Sequence, residues 1–349
     1  MRPRLRELGI EIGTLPTGRH NAITDVPGFL VGHASVVRDE PSVVRTGVTV
    51  VLPREGNAYD NHVFAGWHVL NGYGEMTGLP WVEESGLIDA PIGITNTDQV
   101  GLVRDTLIKH AGTARTFSLP VVAETWDGWL SDIRSFALTA DDVLAALGSA
   151  AAGPVAEGCV GGGTGMICHG FKGGIGTSSR VVSTAPGSYT VGVLVQANYG
   201  ARRDLRVDGV PIGALLAEDV VPSAWDQPPN GGSIVVVIAT DAPLLPVQCK
   251  RLARRATIGL ARVGGYGHNS SGDFFLAIAT GNDLPAVADG LWDLKMLCHR
   301  EMDTLFHAVA DATEEAILNA LCAAETTTGQ MGRTAHALPT DRLSALMGR

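Results

Sequence analysis

The amino-acid sequence predicts an α/β (α+β) fold in which stacked β-sheets are covered by helices. Strand-like and helix-like patterns both occur throughout the 349 residues. The central strands, such as residues 234–238, are apolar at every position, which is typical of strands buried on both faces. No change in composition marks a linker and no internal repeat is evident, so residues 1–349 are treated as one interleaved domain.

The N-terminal half of the chain contains both kinds of element. Residues 1–40 predict only short extended pieces and turns. Apolar runs predict strands over residues 46–52, 90–95 and 119–123. The glycine-rich residues 65–77 have roughly helical spacing. Asp98 is expected to cap a helix that ends near residue 110, and residues 139–142 open an alanine-rich helix.

The C-terminal half continues in the same way. Apolar runs predict strands over residues 189–197, 233–238 and 273–280. Helical spacing predicts a helix over residues 243–262, capped by Asp241, and a long helical stretch over residues 284–324. The remaining segments are a glycine-rich loop and strand (158–180), a polar surface stretch (201–232) and a tail with a short terminal helix (325–349).

Composition and charge argue against several classes of protein. Hydrophobic residues make up 45% of the chain and charged residues 18%, so we expect a large core rather than disorder. The net charge of −10 argues against a nucleic-acid-binding protein, which usually carries a basic face. The five cysteines form no C-x-x-C pair, so we expect reduced thiols in a cytoplasmic protein. We expect no signal peptide, and no apolar run approaches the ~20 residues of a membrane helix.

Two patterns rich in glycine or cysteine do not indicate a function by themselves. Residues 161–180 contain no Gly-Lys-Ser/Thr tripeptide and no G-x-G-x-x-G that follows a strand and opens a helix, so they do not predict a phosphate-binding loop. Their glycines are expected where another backbone or a ligand comes close. Cys159, Cys168 and His169 are near one another in sequence, but none of the ten histidines forms an H-x-x-x-H pair. We therefore expect no metal site and no cofactor.

The stretch around Ser233 is a candidate catalytic site. A proline- and glycine-rich loop, residues 228–232, leads into Ser233, which opens the buried strand of residues 234–238. If the preceding peptide bond is cut, Ser233 becomes a new N-terminus whose own α-amine can act as the base for its hydroxyl. An α-amine with a pKa of about 7.7–8.0 suits that task near neutral pH. The pattern alone is more typical of a turn serine before a core strand.

Four further polar residues lie at the ends of predicted strands. Ser271 and Asp273 are two residues apart before or at the start of a strand, so they share one face of an extended segment. Glu124 and Asn198 each follow an apolar strand, where site residues are frequent. A neutral asparagine can donate to an oxyanion, and a carboxylate can hold a substrate ammonium. An Asx-type turn or an ordinary loop position also explains these residues.

Eight segments, taken together, resemble one family of enzymes. They are residues 21–33 (NAITDVPGFLVGH), 71–79 (NGYGEMTGL), 91–101 (PIGITNTDQVG), 122–128 (VAETWDG), 161–180 (GGGTGMICHGFKGGIGTSSR), 191–200 (VGVLVQANYG), 231–244 (GGSIVVVIATDAPL) and 269–280 (NSSGDFFLAIAT). In length and order they resemble the DmpA-type aminopeptidases, which include the L-aminopeptidase D-alanine-esterase/amidases and the β-peptidyl aminopeptidases. The resemblance covers nearly the whole chain.

The resemblance implies a four-layer αββα sandwich, like that of the N-terminal nucleophile hydrolases but with its own connectivity. It also implies that the precursor cleaves itself between Gly232 and Ser233. The products would be a large chain (1–232) and a small chain (233–349) that stay together. Ser233 would then be the nucleophile.

The resemblance suggests roles for the other candidate residues as well. Ser271 and Asp273 correspond to the supporting serine and acid of the family, and Asn198 to its oxyanion-side asparagine. Glu124 corresponds most closely to the acid near the substrate amine. Trp126 stands where some members have a tyrosine, and its indole can only donate a hydrogen bond. We expect Trp126 to make a cation–π contact with the substrate ammonium.

The predicted function is that of a cytoplasmic, self-processing serine aminopeptidase or amidase acting on short peptides, amides or esters. A specialist for β-peptides is an alternative within the enzyme class. An unprocessed, non-catalytic binding protein of the same fold is an alternative outside it. We expect a homo-oligomer, a tetramer of processed heterodimers, with no nucleic-acid or membrane partner.

Overall fold

The computed structural model describes residues 2–56, 59–112, 117–216, 221–224, 232–286 and 289–349. Its strands are β1 (Leu30–Arg38), β2 (Val44–Leu52), β3 (Asn61–Gly72), β4 (Leu87–Ile88), β5 (Ile92–Asn96), β6 (Val121–Thr125), β7 (Ile167–Cys168), β8 (Phe171–Lys172), β9 (Gly174–Thr184), β10 (Gly187–Asn198), β11 (Gly232–Thr240), β12 (Ser271–Pro285), β13 (Thr327–Thr328) and β14 (Thr334–Ala335). Its α-helices are α1 (Leu79–Ser85), α2 (Val100–His110), α3 (Ala140–Gly148), α4 (Ile212–Leu215), α5 (Pro246–Arg262), α6 (Met302–Ala323) and α7 (Thr340–Leu346). The predicted loop residues 228–231 lie outside the described residues.

Most strands belong to two sheets. The first sheet has the order β1-β2-β5-β6, and only β5 and β6 are parallel in it. The second sheet has the order β4-β3-β12-β11-β10-β9, and only β11 and β12 are parallel in it. Strand β11 is therefore central, and neighbours on both sides and both faces explain why its sequence is continuously apolar.

The two sheets pack face to face and share a core. Ile94 and Ala123 of the first sheet belong to the same apolar cluster as Val235 and Leu276 of the second. Helices α2 and α3 cover the outer face of the first sheet, and α5 and α6 cover the outer face of the second. The layers run helix, sheet, sheet, helix, which confirms the predicted αββα sandwich.

Glycines determine how closely the helices approach the second sheet. A Cβ atom on Gly176 of β9 would lie 2.0 Å from the carbonyl oxygen of Ala316 and 2.7 Å from the nitrogen of Ala320, both in α6. A Cβ atom on Gly66 of β3 would lie 2.3 Å from the nitrogen of Lys250 in α5. Helix backbone occupies the space that a side chain would need, so glycine is a packing requirement at both positions.

The prediction of helical structure over residues 65–77 is wrong. These residues form most of β3 and the loop after it, rather than a helix. Strand β3 pairs with β12 over almost its whole length. Pairing inside a sheet that is buried against α5 outweighs the weak helical spacing of a glycine-rich segment.

The cap before α2 corrects another prediction. Asn96, not Asp98, provides it: the Asn96 Oδ1 atom accepts hydrogen bonds from the backbone N–H groups of Asp98 and Gln99, both at 3.1 Å. Asn96 is still in the extended conformation of β5, which is the geometry of an N-cap residue.

Two boundaries in the C-terminal half also differ from the prediction. Helix α5 begins at Pro246, and Asp241 instead accepts a hydrogen bond from the backbone N–H of Thr190 at 2.7 Å. The stretch predicted as helical over residues 284–324 is helical mainly in α6, because β12 continues to Pro285 and residues 289–298 have no regular structure. None of the described helices is long and apolar enough to cross a membrane.

We expect Gly176→Ala to lower the free energy of unfolding by about 1–3 kcal/mol, because the added methyl group collides with the α6 backbone. Gly148→Ala is the matched control, since nothing lies within 4 Å of a Cβ atom at that position. Chemical denaturation of both variants measures the difference. Equal stabilities would contradict the close packing of α6 on β9.

Candidate active site

Ser233 lies near the start of β11, between two neighbouring strands. Its backbone pairs with Asn198 of β10 on one side and with Gly272 of β12 on the other. The backbone N–H of Gly272 donates a hydrogen bond to the Ser233 Oγ atom at 3.3 Å. Ser233 is only 7% exposed. The hydroxyl is therefore held in a fixed, mostly dry position by the sheet.

Strand alternation divides the polar residues between the two faces of the second sheet. Asn198 pairs directly with Ser233, so both side chains lie on the face that is turned to the first sheet. Ser271 and Asp273 share a face with each other, but it is the opposite one, turned to α5 and α6. The sequence predicts their common face and does not reveal which face it is.

Ser271 and Asp273 form a buried pair. The Ser271 hydroxyl donates to the Asp273 Oδ1 atom at 2.6 Å, and Asp273 is 1% exposed. Burial raises the pKa of Asp273 to about 6, although the Ser271 hydrogen bond lowers it. The carboxyl group therefore changes its charge close to neutral pH.

The Asn198 side chain connects the two sheets. Its Nδ2 atom donates to the carbonyl oxygen of Trp126 at 2.9 Å, and its Oδ1 atom accepts from the backbone N–H of Ile167 at 2.8 Å. These two hydrogen bonds distinguish the nitrogen from the oxygen of the Asn198 side-chain amide and fix the orientation of that amide. The second Nδ2 hydrogen takes part in neither bond.

Glu124 is the second-to-last residue of β6, and its carboxylate is buried, with an exposed fraction of 2%. Its Oε1 atom accepts from the backbone N–H of Glu75 at 2.9 Å, and its Oε2 atom accepts from the Thr97 hydroxyl. Burial raises the pKa of Glu124, and the charges of Glu75 and Asp98 raise it as well. Within the described ranges no Arg or Lys forms an ion pair with Glu124.

Two glycines connect Glu124 to Ser233. A Cβ atom on Gly74 would lie 2.9 Å from the Glu124 Oε1 atom and 3.2 Å from the Cα atom of Gly272. Gly272 in turn donates to the Ser233 hydroxyl. The carboxylate and the hydroxyl therefore lie at the same end of the sandwich, separated by backbone that has no side chains.

Trp126 and Asp127 follow at the end of β6. The Trp126 side chain is 45% exposed, and a Cβ atom on Gly128 would lie 2.5 Å from its ring. Asp127 is 1% exposed, and burial raises its pKa to about 7. An aromatic surface and a second buried carboxyl group therefore follow Glu124 directly in the chain.

Four residues of this region are not among the candidates that the sequence analysis names. Thr97 directly follows β5 and Asp127 lies two residues after β6, so the strand-end position is a sequence signal for these two. Gly74 and Gly272 have no side-chain signal, and only the contact between distant segments reveals them.

The glycine-rich residues 161–180 support the site through packing. A Cβ atom on Gly162 would lie 2.1 Å from the Gln196 Oε1 atom, so this part of the segment fits tightly between the sheets. The segment also carries Ile167, which binds Asn198. In the part of the chain that the structure describes, no group of three or more His, Cys, Asp or Glu side chains could hold a metal ion.

Comparison with protein families gives one match over most of the chain. Residues 21–335 match the model of peptidase family S58. The β-peptidyl aminopeptidase BapA of Sphingosinicella microcystinivorans is 46% identical over an alignment of 365 positions. The alignment covers 99% of this chain and 92% of the relative.

Solved structures agree with this match. The β-aminopeptidase of a Burkholderia species is 51% identical, with a TM-score of 0.93 over 99% of this chain and 98% of its own. The L-aminopeptidase D-Ala-esterase/amidase of Ochrobactrum anthropi is 42% identical, with a TM-score of 0.93 and the same coverage. The latter is described as a prototype for the serine aminopeptidases and as a new variant among the Ntn hydrolase fold.

We expect Asp273→Asn to change how stability depends on pH. The folded, uncleaved protein binds the Asp273 proton more tightly than the unfolded chain, so this carboxyl makes the uncleaved protein less stable as the pH rises from about 4 to about 6. The variant lacks this loss, and the difference between the two free energies of unfolding should change by about 2–3 kcal/mol over that window.

Denaturation of the uncleaved Ser233→Ala protein at several pH values, with and without Asp273→Asn, measures this effect, and the exposed Asp293→Asn change is the control. A pH-independent difference between the two uncleaved proteins would contradict a buried carboxyl with a raised pKa.

Proposed function

The chain belongs to peptidase family S58 and is a serine aminopeptidase, and we propose that Ser233 is its nucleophile, freed by cleavage of the Gly232–Ser233 bond. The main supporting observation is the position of Ser233, between Asn198 and Gly272 and beside the buried Ser271–Asp273 pair. Family membership also favours an enzyme over the non-catalytic binding protein that the sequence left open.

The conformation of Gly232 supports cleavage at this bond. Its φ angle is +146°, a backbone conformation that residues with side chains rarely adopt. A Cβ atom there would lie 2.7 Å from the carbonyl oxygen of Asn198 and from the Cα atom of Tyr199. A glycine is thus required at the scissile position. Gly231, which the sequence also implicates, lies outside the described residues.

In the proposed cleavage, the Ser233 Oγ atom attacks the carbonyl carbon of Gly232. The C–N bond breaks, the Ser233 nitrogen takes up the proton, and the acyl group is held as an ester on Oγ. Water then hydrolyses the ester, leaving a carboxylate on Gly232 and a free α-amine on Ser233. The products are chains 1–232 and 233–349.

In the proposed catalytic cycle, the freed α-amine of Ser233 takes the proton from the hydroxyl as it attacks the substrate carbonyl. The scissile C–N or C–O bond then breaks, and the amine returns this proton to the leaving amine or alcohol. The second Nδ2 hydrogen of Asn198 faces the developing oxyanion, a type of donor whose removal typically costs ~10²–10³ in rate. Asp273, oriented by Ser271, is the counter-charge for the amine when it is protonated. Water later releases the acyl group, as in the self-cleavage.

Glu124 is the proposed partner of the substrate ammonium. A buried carboxylate without a cation is unfavourable, and no arginine or lysine within the described ranges satisfies it. Binding of the ammonium places the scissile carbonyl near Ser233 and excludes internal peptide bonds. The exposed ring of Trp126 adds a cation–π contact of roughly 0.5–2 kcal/mol.

The relatives favour two classes of substrate. Two of them are named β-peptidyl aminopeptidase or β-aminopeptidase, at 46% and 51% identity. Another is named L-aminopeptidase D-Ala-esterase/amidase, at 42% identity. We propose short peptides, amides and esters with a free N-terminal amine as substrates, with β-amino residues as the first candidate and L-α-amino residues as the second.

We also propose that the processed chains form a homo-oligomer, a tetramer of heterodimers, and that the enzyme works in the cytoplasm. All five cysteines are free thiols, which fits a reducing compartment.

Ser233→Ala should remain a single chain, because the variant has no hydroxyl to attack Gly232. A denaturing gel separates this chain from the two chains expected for the wild type. The exposed Ser188→Ala variant on β10 should still be cleaved. A folded Ser233→Ala protein that splits at Gly232–Ser233 would rule out self-cleavage by this serine.

The Glu124→Gln variant should lose most of the wild-type preference, measured as kcat/KM, for substrates with a free amine over N-acetylated ones. We expect the wild type to prefer β-alanyl or L-alanyl p-nitroanilide over its N-acetylated form by roughly 10³-fold in kcat/KM, because an acetylated nitrogen carries no charge. The faster of the two free amines also identifies the preferred class of substrate.

Glu84→Gln is the matched control for Glu124→Gln, because it makes the same change at an exposed glutamate of α1. Should the wild type hydrolyse free and acetylated substrates equally well, Glu124 does not hold an ammonium.

A further inference from the structure

Tyr199 lies directly behind the scissile bond. It follows the last residue of β10, it is 5% exposed, and it belongs to the core on the helix side of the second sheet. Asn198, its predecessor, points at the first sheet, so Tyr199 lies on the other face, the one that Ser271 and Asp273 share.

Gly232 leaves the path from Tyr199 to Ser271 open. The sheet register pairs Gly232 with Ser271, and a Cβ atom on Gly232 would lie 2.7 Å from the Tyr199 Cα atom. Two strand spacings, about 10 Å, separate the Tyr199 and Ser271 backbones. Gly232 therefore places no side chain between the Tyr199 backbone and the Ser271–Asp273 pair.

The loop after α5 covers both groups. A Cβ atom on Gly265 would lie 2.9 Å from the Cε2 atom of the Tyr199 ring, and one on Gly267 would lie 3.4 Å from the Asp273 Oδ2 atom. The same short loop thus touches the ring of the tyrosine and the free oxygen of the carboxylate.

Tyr199 and Asp273 each carry a buried polar atom. Among the described residues, neither the Tyr199 hydroxyl nor the Asp273 Oδ2 atom has a hydrogen-bond partner. Buried polar groups in proteins are nearly always paired, directly or through a buried water. A phenol O–H is a donor and a carboxylate oxygen is an acceptor, so each supplies what the other lacks.

We propose that Tyr199 is a positioning residue for Asp273: its hydroxyl donates, through one buried water, to Oδ2, while Ser271 donates to Oδ1. The two donors fix the carboxylate toward the place where the Ser233 amine is freed. The proposal rests on the proposed role of Ser233 as a self-freed nucleophile. It adds a residue that touches neither substrate nor reacting atoms.

A hydrogen-bond donor stabilises the charged form of a carboxylate and weakens the electrostatic attraction between that carboxylate and a nearby ammonium. Loss of the Tyr199 hydroxyl therefore raises both apparent pKa values of the Asp273–amine pair, which titrate together. The base form of the Ser233 amine then requires a higher pH.

Other titratable groups also face Tyr199: Cys168, His169, Glu314 of α6, and His268 beyond them on the loop. Burial raises the pKa of Cys168 to about 12 and lowers that of His169 to about 4, so both are neutral at pH 7. Glu314 has a pKa raised to about 7, and it is bonded to Arg262. The test must therefore separate Glu314 from Asp273.

Processed Tyr199→Phe enzyme tests the proposal, because phenylalanine keeps the ring and its contact with His169. We expect the acid limb of kcat/KM to move to higher pH by about one unit, with KM nearly unchanged. The shift should persist in a Glu314→Gln background. Tyr189→Phe, at the other end of β10, should match the wild type. A Tyr199→Phe profile that superimposes on the wild type, or a shift that vanishes with Glu314→Gln, would overturn the proposal.

A second measurement does not depend on turnover. In the uncleaved Ser233→Ala protein, Tyr199→Phe should extend the pH-dependent loss of stability by about one pH unit upward, and it should have no such effect when Asp273→Asn is also present. A failure of this result overturns the role of Tyr199. Turnover that persists in Ser233→Ala overturns the proposed nucleophile instead, so the two failures are distinguishable.

Discussion

The pairing of β11 between β10 and β12 is the interaction on which the rest of the site depends. It places Ser233 opposite Asn198 on one side and Gly272 on the other, and it aligns Gly232 with Ser271. A slip of one residue would turn every side chain of β11 to the other face. Because both faces are apolar, the close packing of the individual side chains, rather than the hydrophobic pattern, opposes that slip. The core of the sandwich thus fixes the geometry of the candidate nucleophile.

Burial determines the electrostatic properties of the two carboxyl groups in the site. Glu124 and Asp273 are both nearly inaccessible carboxyl groups with raised pKa values, and within the described part of the chain neither is ion-paired with arginine or lysine. In the proposed mechanism each meets an ammonium that is absent from the folded precursor. The substrate amine reaches Glu124, and self-cleavage creates the Ser233 amine near Asp273. Carboxylates held dry and unpaired bind such cations more strongly than exposed ones.

Much of the fold can be predicted from the sequence, because the buried strands are continuously apolar. The strand that follows Ser233 is of this kind, and so is the VGVLV stretch of β10, residues 191–195. Glycine-rich segments could not be predicted in the same way. Residues 65–72 form a strand that α5 packs against at Gly66, and a contact between distant segments leaves no periodic signal.

Some residues of the candidate site could likewise be predicted from the sequence, and others could not. The polar residues at strand ends are visible in the sequence, and the family resemblance suggests their roles. The opposite faces of Ser233 and Asp273, and the glycines between Ser233 and Glu124, depend on sheet register and on packing between distant segments. Residues of that kind become apparent only in three dimensions.

Intact mass spectrometry of the purified, active wild-type protein tests the central claim most directly. We predict two masses, corresponding to residues 1–232 and 233–349, and an acyl adduct on the 233–349 chain when turnover of an aminoacyl ester is quenched. A single uncleaved chain that turns over substrate, or an adduct on the 1–232 chain, would contradict Ser233 as the self-freed nucleophile.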